Sequence, residues 1–199
     1  MKSIVFSMAV LTALGACAVP DGKDASPQAI AASAYRAPGP ATLTIFTMVN
    51  NRTGSGGHTA LMINGSQRVI FDPAGSFRHE TVPEKNDVLY GITPNWVSSY
   101  KSAHARDSFH VVTQEIEVTP EQAERALQLA QTYGPVAAAY CTNSTTRLLR
   151  DVPGFENVGV TFFPVTLMEA IAQRPDVRTD RYYENDAGDV LDGLASLKL

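Results

Sequence analysis

A cysteine becomes a nucleophile when its surroundings hold it as a thiolate and a base is at hand to take the proton. Cys141 meets the first condition. It follows the run Val136 to Tyr140, mostly small residues, and opens Cys-Thr-Asn-Ser-Thr-Thr-Arg-Leu-Leu-Arg, which predicts a helix from Cys141 to about Arg150. A helix start sets unsatisfied backbone N–H groups and the positive end of the helix dipole beside the sulfur. With an imidazolium partner, such surroundings lower a thiol pKa from about 8.5 into the range ~3.5–7.5. The plainer reading of a free cysteine is a small buried hydrophobe. The case for chemistry therefore depends on a base.

Four histidines compete for that role. His58 follows Gly56-Gly57 and begins a strand that is otherwise apolar through Ala60, Leu61, Met62 and Ile63. A histidine there is either paired or at the end of a sheet, and the glycines before it leave room for a substrate backbone. Asn64-Gly65 is a strong hairpin signal. With Asn64-Gly65 or Gly65-Ser66 as the turn, position 58 faces 71, 72 or 73, and Asp72 is the polar residue among them. Directly opposed β-carbons lie ~4.5–5.5 Å apart. Asp72 is then placed to fix the tautomer of His58 and stabilise its imidazolium. The competing reading of Asp72 is a turn former before Pro73. His79 sits in a polar stretch, His104 at a helix C-terminus where the dipole favours it anyway, and His110 in a valine-rich strand that favours structural burial.

The elements that must position these residues alternate along the chain. Strands are expected at 41–49, 58–63, 67–72 and 88–92, then a helix from Thr93-Pro94 to His104 and a strand at 108–118. Thr119-Pro120-Glu121-Gln122 combines an N-cap, a first-turn proline and a capping-box glutamine, so a helix runs from there to about Tyr133. After the helix at Cys141, another starts at Pro164 and a last strand covers 177–183. Strands first and helices later is an α+β pattern: an antiparallel sheet with helices packed on one side.

A strand-borne histidine, then a strand with a polar residue, then a cysteine at a helix start resembles the circularly permuted branch of the NlpC-like superfamily. The matching pieces are Gly57-His58-Thr59-Ala60-Leu61-Met62-Ile63, Val69-Ile70-Phe71-Asp72-Pro73-Ala74-Gly75 and Tyr140-Cys141-Thr142-Asn143-Ser144. The resemblance spans roughly 41–183 and implies a papain-like fold. It implies Cys141 as nucleophile, His58 as base and Asp72 in the third, polar position, which is variable in the family. Members include peptidoglycan peptidases and amidases, lipid acyltransferases, and thioesterases. Thr142-Asn143 is more polar than in many relatives. The backbone amide of Cys141 is the first oxyanion candidate, and Asn143 a second.

The other cysteine, Cys17, has a different setting. Met1-Lys2-Ser3 is a charged start, Ile4 to Leu14 is apolar, and Leu14-Gly15-Ala16-Cys17 ends the segment. This is a secretion signal over 1–16, and its ending resembles the bacterial lipobox, in which the cysteine is acylated and becomes the new N-terminus. Ala18 after it suggests the periplasmic face of the outer membrane. Residues 17–40, rich in Ala, Pro, Ser, Asp and Gly, read as the lipidated cysteine and a flexible tether. Residues 41–183 form the hydrolase domain and 184–199 an acidic, weakly helical tail. A lipidated Cys17 leaves Cys141 without a disulfide partner.

A net charge of −4 without a basic stripe argues against nucleic acid. Gly54-Ser55-Gly56-Gly57 lacks the Gly-Lys-Ser/Thr of a phosphate loop, no Gly-x-Ser-x-Gly elbow is present, and no His-Glu-x-x-His or Cys-x-x-Cys suggests zinc. No cofactor or metal is expected. The expectation is an envelope-anchored cysteine hydrolase that cleaves an amide bond in peptidoglycan peptides. One alternative is a lipid acyl-ester or thioester hydrolase or acyltransferase, which an apolar groove beside Cys141 would favour. The other is a non-catalytic binding lipoprotein.

Overall fold

A computed structural model describes residues 24–196. Cys17 and the signal segment lie outside the described residues. Seven strands form one sheet: β1 Thr42–Asn50, β2 Gly56–Asn64, β3 Arg68–Phe71, β4 Glu84–Lys85, β5 Val88–Tyr90, β6 Phe109–Glu117 and β7 Val177–Tyr182. Their spatial order is β4-β5-β3-β2-β1-β6-β7, and every neighbouring pair is antiparallel. The described helices are α1 Pro27–Ser33, α2 Pro94–His104, α3 Pro120–Tyr133, α4 Cys141–Arg150, α5 Pro164–Ala172 and α6 Val190–Ser196. The protein is α+β. None of the described helices is long and apolar enough to cross a membrane.

The helices do not lie on one side, as the sequence pattern suggested. Leu43, Ile45, Leu61, Ile63, Val69 and Phe71 point to one face and pack against α3, α4 and α5 through Ala126, Leu127, Leu148, Leu149, Leu167 and Ile171. The alternate residues Phe46, Met48, Ala60, Met62 and Ile70 point to the other face, against Tyr100 and Ala103 of α2, with Val190 and Leu194 of α6 beside them. The signal was present in β1, which is buried from Thr42 through Val49. A strand without a polar face is covered on both sides. Each large aliphatic side chain buried this way contributes roughly 1.5–3 kcal/mol.

Local chemistry sets the helix starts. Thr93 caps α2 by accepting from Trp96 N, and Pro94 follows it. Thr119 and Gln122 form a capping box at α3, with Pro120 at its first turn. These are the places where the first backbone N–H groups need outside partners.

Two peripheral segments are more tightly held than expected. From residue 24 on, the expected tether lies against the domain: Ala25 N donates to Glu84 O at 2.7 Å, Arg68 N donates to Tyr35 O at 2.5 Å, and Ala37 N donates to Asn64 Oδ1 at 3.1 Å. The tail is docked as well. Asp186 Oδ2 accepts from buried Arg106 Nη1 at 3.1 Å, and Gly193 approaches α2 so closely that a β-carbon there would lie 2.7 Å from Ala103 Cα.

Candidate active site

His58 sits at an irregularity in β2. The β1–β2 ladder pairs Met48 with His58 and then Val49 with Gly56, so Gly57 is an extra, bulged residue. A bulge re-aims the side chain beside it. Here it also needs glycine, because a β-carbon on Gly57 would lie 2.6 Å from Phe109 Cε1, and one on Gly56 would lie 2.5 Å from Pro164 Cβ.

Asp72 reaches His58 by a different register from the one expected. The β2–β3 ladder pairs Leu61 with Phe71 and Asn64 with Arg68, which makes a three-residue turn, Gly65-Ser66-Gln67. Continuing it by one pair sets Asp72 level with Ala60, so Asp72 and His58 are diagonal neighbours and not directly opposed. Diagonal positions, ~7–8 Å apart, remain on one face and within reach of long side chains. His58 Nε2–H donates to Asp72 Oδ1 at 2.7 Å. Gly75 gives the carboxylate its room, since a β-carbon there would overlap Asp72 Oδ2.

β3 ends at Phe71, so the start of β2 has no strand partner on that side. The first turn of α4 fills this opening. Thr142 Oγ1 shares a 3.0 Å hydrogen bond with Thr59 Oγ1, and Cys141 Sγ lies 3.8 Å from Thr142 Oγ1. Cys141 is 8% exposed, and it lies near enough to His58 for each group to shift the pKa of the other. Asp72 occupies Nε2, which leaves Nδ1 as the ring nitrogen available to the thiol. Tyr140 supplies no side-chain cap to α4, so the first-turn N–H groups are not satisfied from that residue. Ala139, two residues before the thiol, holds φ at 69°. A non-glycine residue in that region carries strain.

The electrostatics follow from burial and pairing. Burial alone works against a charged His58, but the Asp72 charge and hydrogen bond, with Cys141, outweigh it and raise the imidazole from 6.5 to about 10. Burial pushes the Cys141 thiol up. The His58 hydrogen bond and charge, the Thr59 backbone amide and Thr142 bring it down, from 9.0 to about 7. Asp72 resists its own desolvation through His58, His104 and the Tyr100 hydroxyl, and its pKa ends below the usual carboxylate value. Both shifts favour the same charged form of the pair, thiolate and imidazolium.

Cys141, His58 and Asp72 are thus brought together. Asn143 is not brought to the thiol: its Oδ1 accepts from Arg147 Nε at 3.0 Å, and residues two apart on a helix do not share a face. His79 Nδ1 accepts from Thr81 N, and His110 Nδ1 donates to Asn51 Oδ1, both away from the thiol. His110 is only partly buried, against the expectation for a valine-rich strand.

The sequence reading set His104 aside as a helix-end histidine and missed that it and Tyr100 back the His58–Asp72 pair. Tyr100 OH donates to Asp72 Oδ1 at 2.6 Å. His104 stacks on His58 with ring centroids 6.0 Å apart and 8° between planes. It donates Nδ1–H to Tyr100 O at 2.7 Å, and burial lowers its pKa to about 4, so it is neutral. The available signal was the i, i+4 spacing of Tyr100 and His104, which puts both on one face of α2. Among the described residues, no group of three or more His, Cys, Asp or Glu side chains could hold a metal ion.

Fold and site together define an α+β protein with a Cys–His–Asp constellation at the open end of an antiparallel sheet. The chain matches no protein-family model, and no curated protein or solved structure shows significant similarity to it.

Proposed function

We propose that the protein is a cysteine hydrolase that works through a thioester acyl-enzyme, as its resemblance to permuted NlpC-like, papain-fold enzymes implies. The observation that carries this reading is the buried, hydrogen-bonded His58–Asp72 pair with the Cys141 thiol beside it, each of His58 and Cys141 shifting the other. With the pair held as thiolate and imidazolium, the Cys141 sulfur attacks the substrate carbonyl carbon. The Cys141 backbone N–H is the oxyanion donor best placed by sequence position. Collapse of the tetrahedral intermediate breaks the carbonyl–nitrogen bond, and His58 gives its proton to the leaving amine. His58 then deprotonates a water, which attacks the thioester and releases the acid and the Cys141 thiol. The primary substrate reading is an amide in peptidoglycan peptides, reached from a lipid on Cys17 at the envelope.

A second substrate reading, a lipid acyl ester or thioester, has its own support. Tyr140, directly before the nucleophile, is 48% exposed and meets Phe162 at 5.2 Å between ring centroids. Phe162 and Phe163 are 49% and 70% exposed. The segments 134–146 and 157–168 contain no charged residue. An uncharged aromatic rim suits an acyl chain better than a stem peptide bearing carboxylates and amines.

Purified protein incubated with peptidoglycan and with acyl esters, against Cys141→Ala, separates these readings. Release of peptide fragments identifies the first and release of fatty acid the second. Product formation that persists in Cys141→Ala sinks the thiol mechanism.

A further inference from the structure

The nucleophile opens α4 directly after one loop, and the residue behind its base lies on another, just after β3. A single side chain ties those loops together. Asp87 Oδ2 accepts from Val136 N at 2.8 Å, five residues before Cys141, and from Ala74 N at 3.1 Å, two residues after Asp72. Its backbone O accepts from Asp72 N at 2.8 Å. One residue therefore makes three hydrogen bonds, and they join both loops.

The conformation of Asp87 makes this placement informative. Asn86 and Asp87 are the two-residue connection between Lys85 and Val88, which pair across the β4–β5 hairpin. Their φ values are 51° and 59°. Two positive φ values in a two-residue hairpin are the pattern of a type I′ turn, whose second central position favours glycine. An aspartate at that position is not what the turn selects. Its carboxylate is used elsewhere, on the two loops of the site.

We propose that Asp87 is a positioning residue for the proposed thiol hydrolase, holding the Cys141 loop against the Asp72 loop so that the thiol meets His58. This rests on the cysteine-hydrolase reading, and one experiment tests the two apart. The full-length protein and its Asp87→Gly and Asp87→Asn variants are alkylated with iodoacetamide from pH 5 to 10, and the melting temperature of each is measured.

Glycine relieves the turn, which offsets part of the loss of the two hydrogen bonds to the carboxylate, so Asp87→Gly should still fold, with a modestly lower melting temperature. Its alkylation midpoint should nevertheless move from near pH 7 towards the ordinary value of about 8.5, with a rate at pH 7 roughly tenfold lower. Asp87→Asn keeps an acceptor oxygen and should recover most of the wild-type profile. A residue with a merely structural role would lower the melting temperature and leave the alkylation midpoint of the folded protein near pH 7.

An Asp87→Gly protein with the wild-type midpoint and rate overturns the proposal and leaves the hydrolase reading standing. If Asp87→Gly fails to fold, Asp87→Asn decides, and a folded Asp87→Asn protein whose midpoint moves to about 8.5 overturns the proposal. A wild-type thiol that titrates near 8.5 removes the activated-cysteine reading itself, and the role of Asp87 falls with it.

Discussion

Tyr100 and His58 donate to the same oxygen, Oδ1 of Asp72, at 2.6 and 2.7 Å. One comes from α2 and the other from the bulged start of β2. The carboxylate is fixed from both sides, which restrains the imidazole ring and leaves its Nδ1 free of Asp72. The site is therefore a four-residue arrangement, and its fourth member looks in the sequence like a core aromatic.

Tyr100→Phe should keep the packing of the ring against Phe46 and Phe77 and lose only the hydroxyl. A hydrogen bond to a charged group contributes about 1.5–3 kcal/mol, so urea denaturation should show a loss of that size. Turnover should fall as well, because Asp72 would be free to rotate.

The pH dependence of the site follows from the two shifted groups. Alkylation of Cys141 should rise through about pH 7, and turnover should fall again as His58 loses its proton through about pH 10. The same shifts govern stability. The His58 pKa is raised by folding, so its contribution is fully present below 6.5 and lost as pH rises through about 10. The Asp72 pKa is lowered, so its contribution is present above 3.8 and lost as pH falls through the depressed value. Melting temperatures across this range should therefore decline at both ends.

His58→Ala should cost turnover about 10²–10⁴-fold, the usual worth of a general base. Its thiol should also become ordinary, with an alkylation midpoint near about 8.5. Circular dichroism should stay that of the folded protein, since His58 lies at the end of the sheet. A His58→Ala thiol that still titrates near 7 would assign the activation to the helix start alone.

Gly57→Ala forces a methyl group towards Phe109. Overpacking of this kind costs about 1–3 kcal/mol, and relief by moving the bulge would carry His58 away from Cys141. Gly159→Ala is the matched control, because nothing lies within 4 Å of its added carbon. The control should stay within about 0.5 kcal/mol of wild type, while Gly57→Ala should lose both stability and turnover.

The aromatic rim gives a test of substrate class. Replacing Phe162 and Phe163 with Ser should raise KM for acyl esters while leaving kcat nearly unchanged, if the rim only holds the chain. Equal kinetics on acyl esters before and after the change would favour the peptide substrate.

Much of this was legible in the sequence, and the omissions have physical causes. The start of α4 at Cys141 and the capping box of α3 depend on local residue chemistry, which the sequence displays directly. The β2–β3 hairpin was visible in Asn64-Gly65, but the length of its turn was not, and the ladder came out displaced. The Asp72–His58 contact survives because the displacement keeps both on the same face. The two-sided cover of the sheet was hinted at in β1, where large apolar residues fall on both faces and only threonines interrupt them, yet an antiparallel sheet with one covered face fitted the same order of elements. His104 was passed over because the helix dipole explains a terminal histidine. Only the packing of α2 on the sheet shows that it lies against His58. The order of residues 24–40 depends on partners at Glu84, Asn64 and Arg68, which composition does not reveal.

The two layers of the core have a kinetic consequence. His58, Asp72 and the buttressing Tyr100 belong to the face covered by α2, whereas Cys141 arrives with α4 on the other. Neither layer alone assembles the reactive pair. Until both have docked, the sulfur has neither the His58 partner nor the fixed Thr59 amide, and it behaves as an unactivated thiol with a pKa near about 8.5. In the proposed hydrolase, a chain in which only one layer has docked would therefore lack the activated pair.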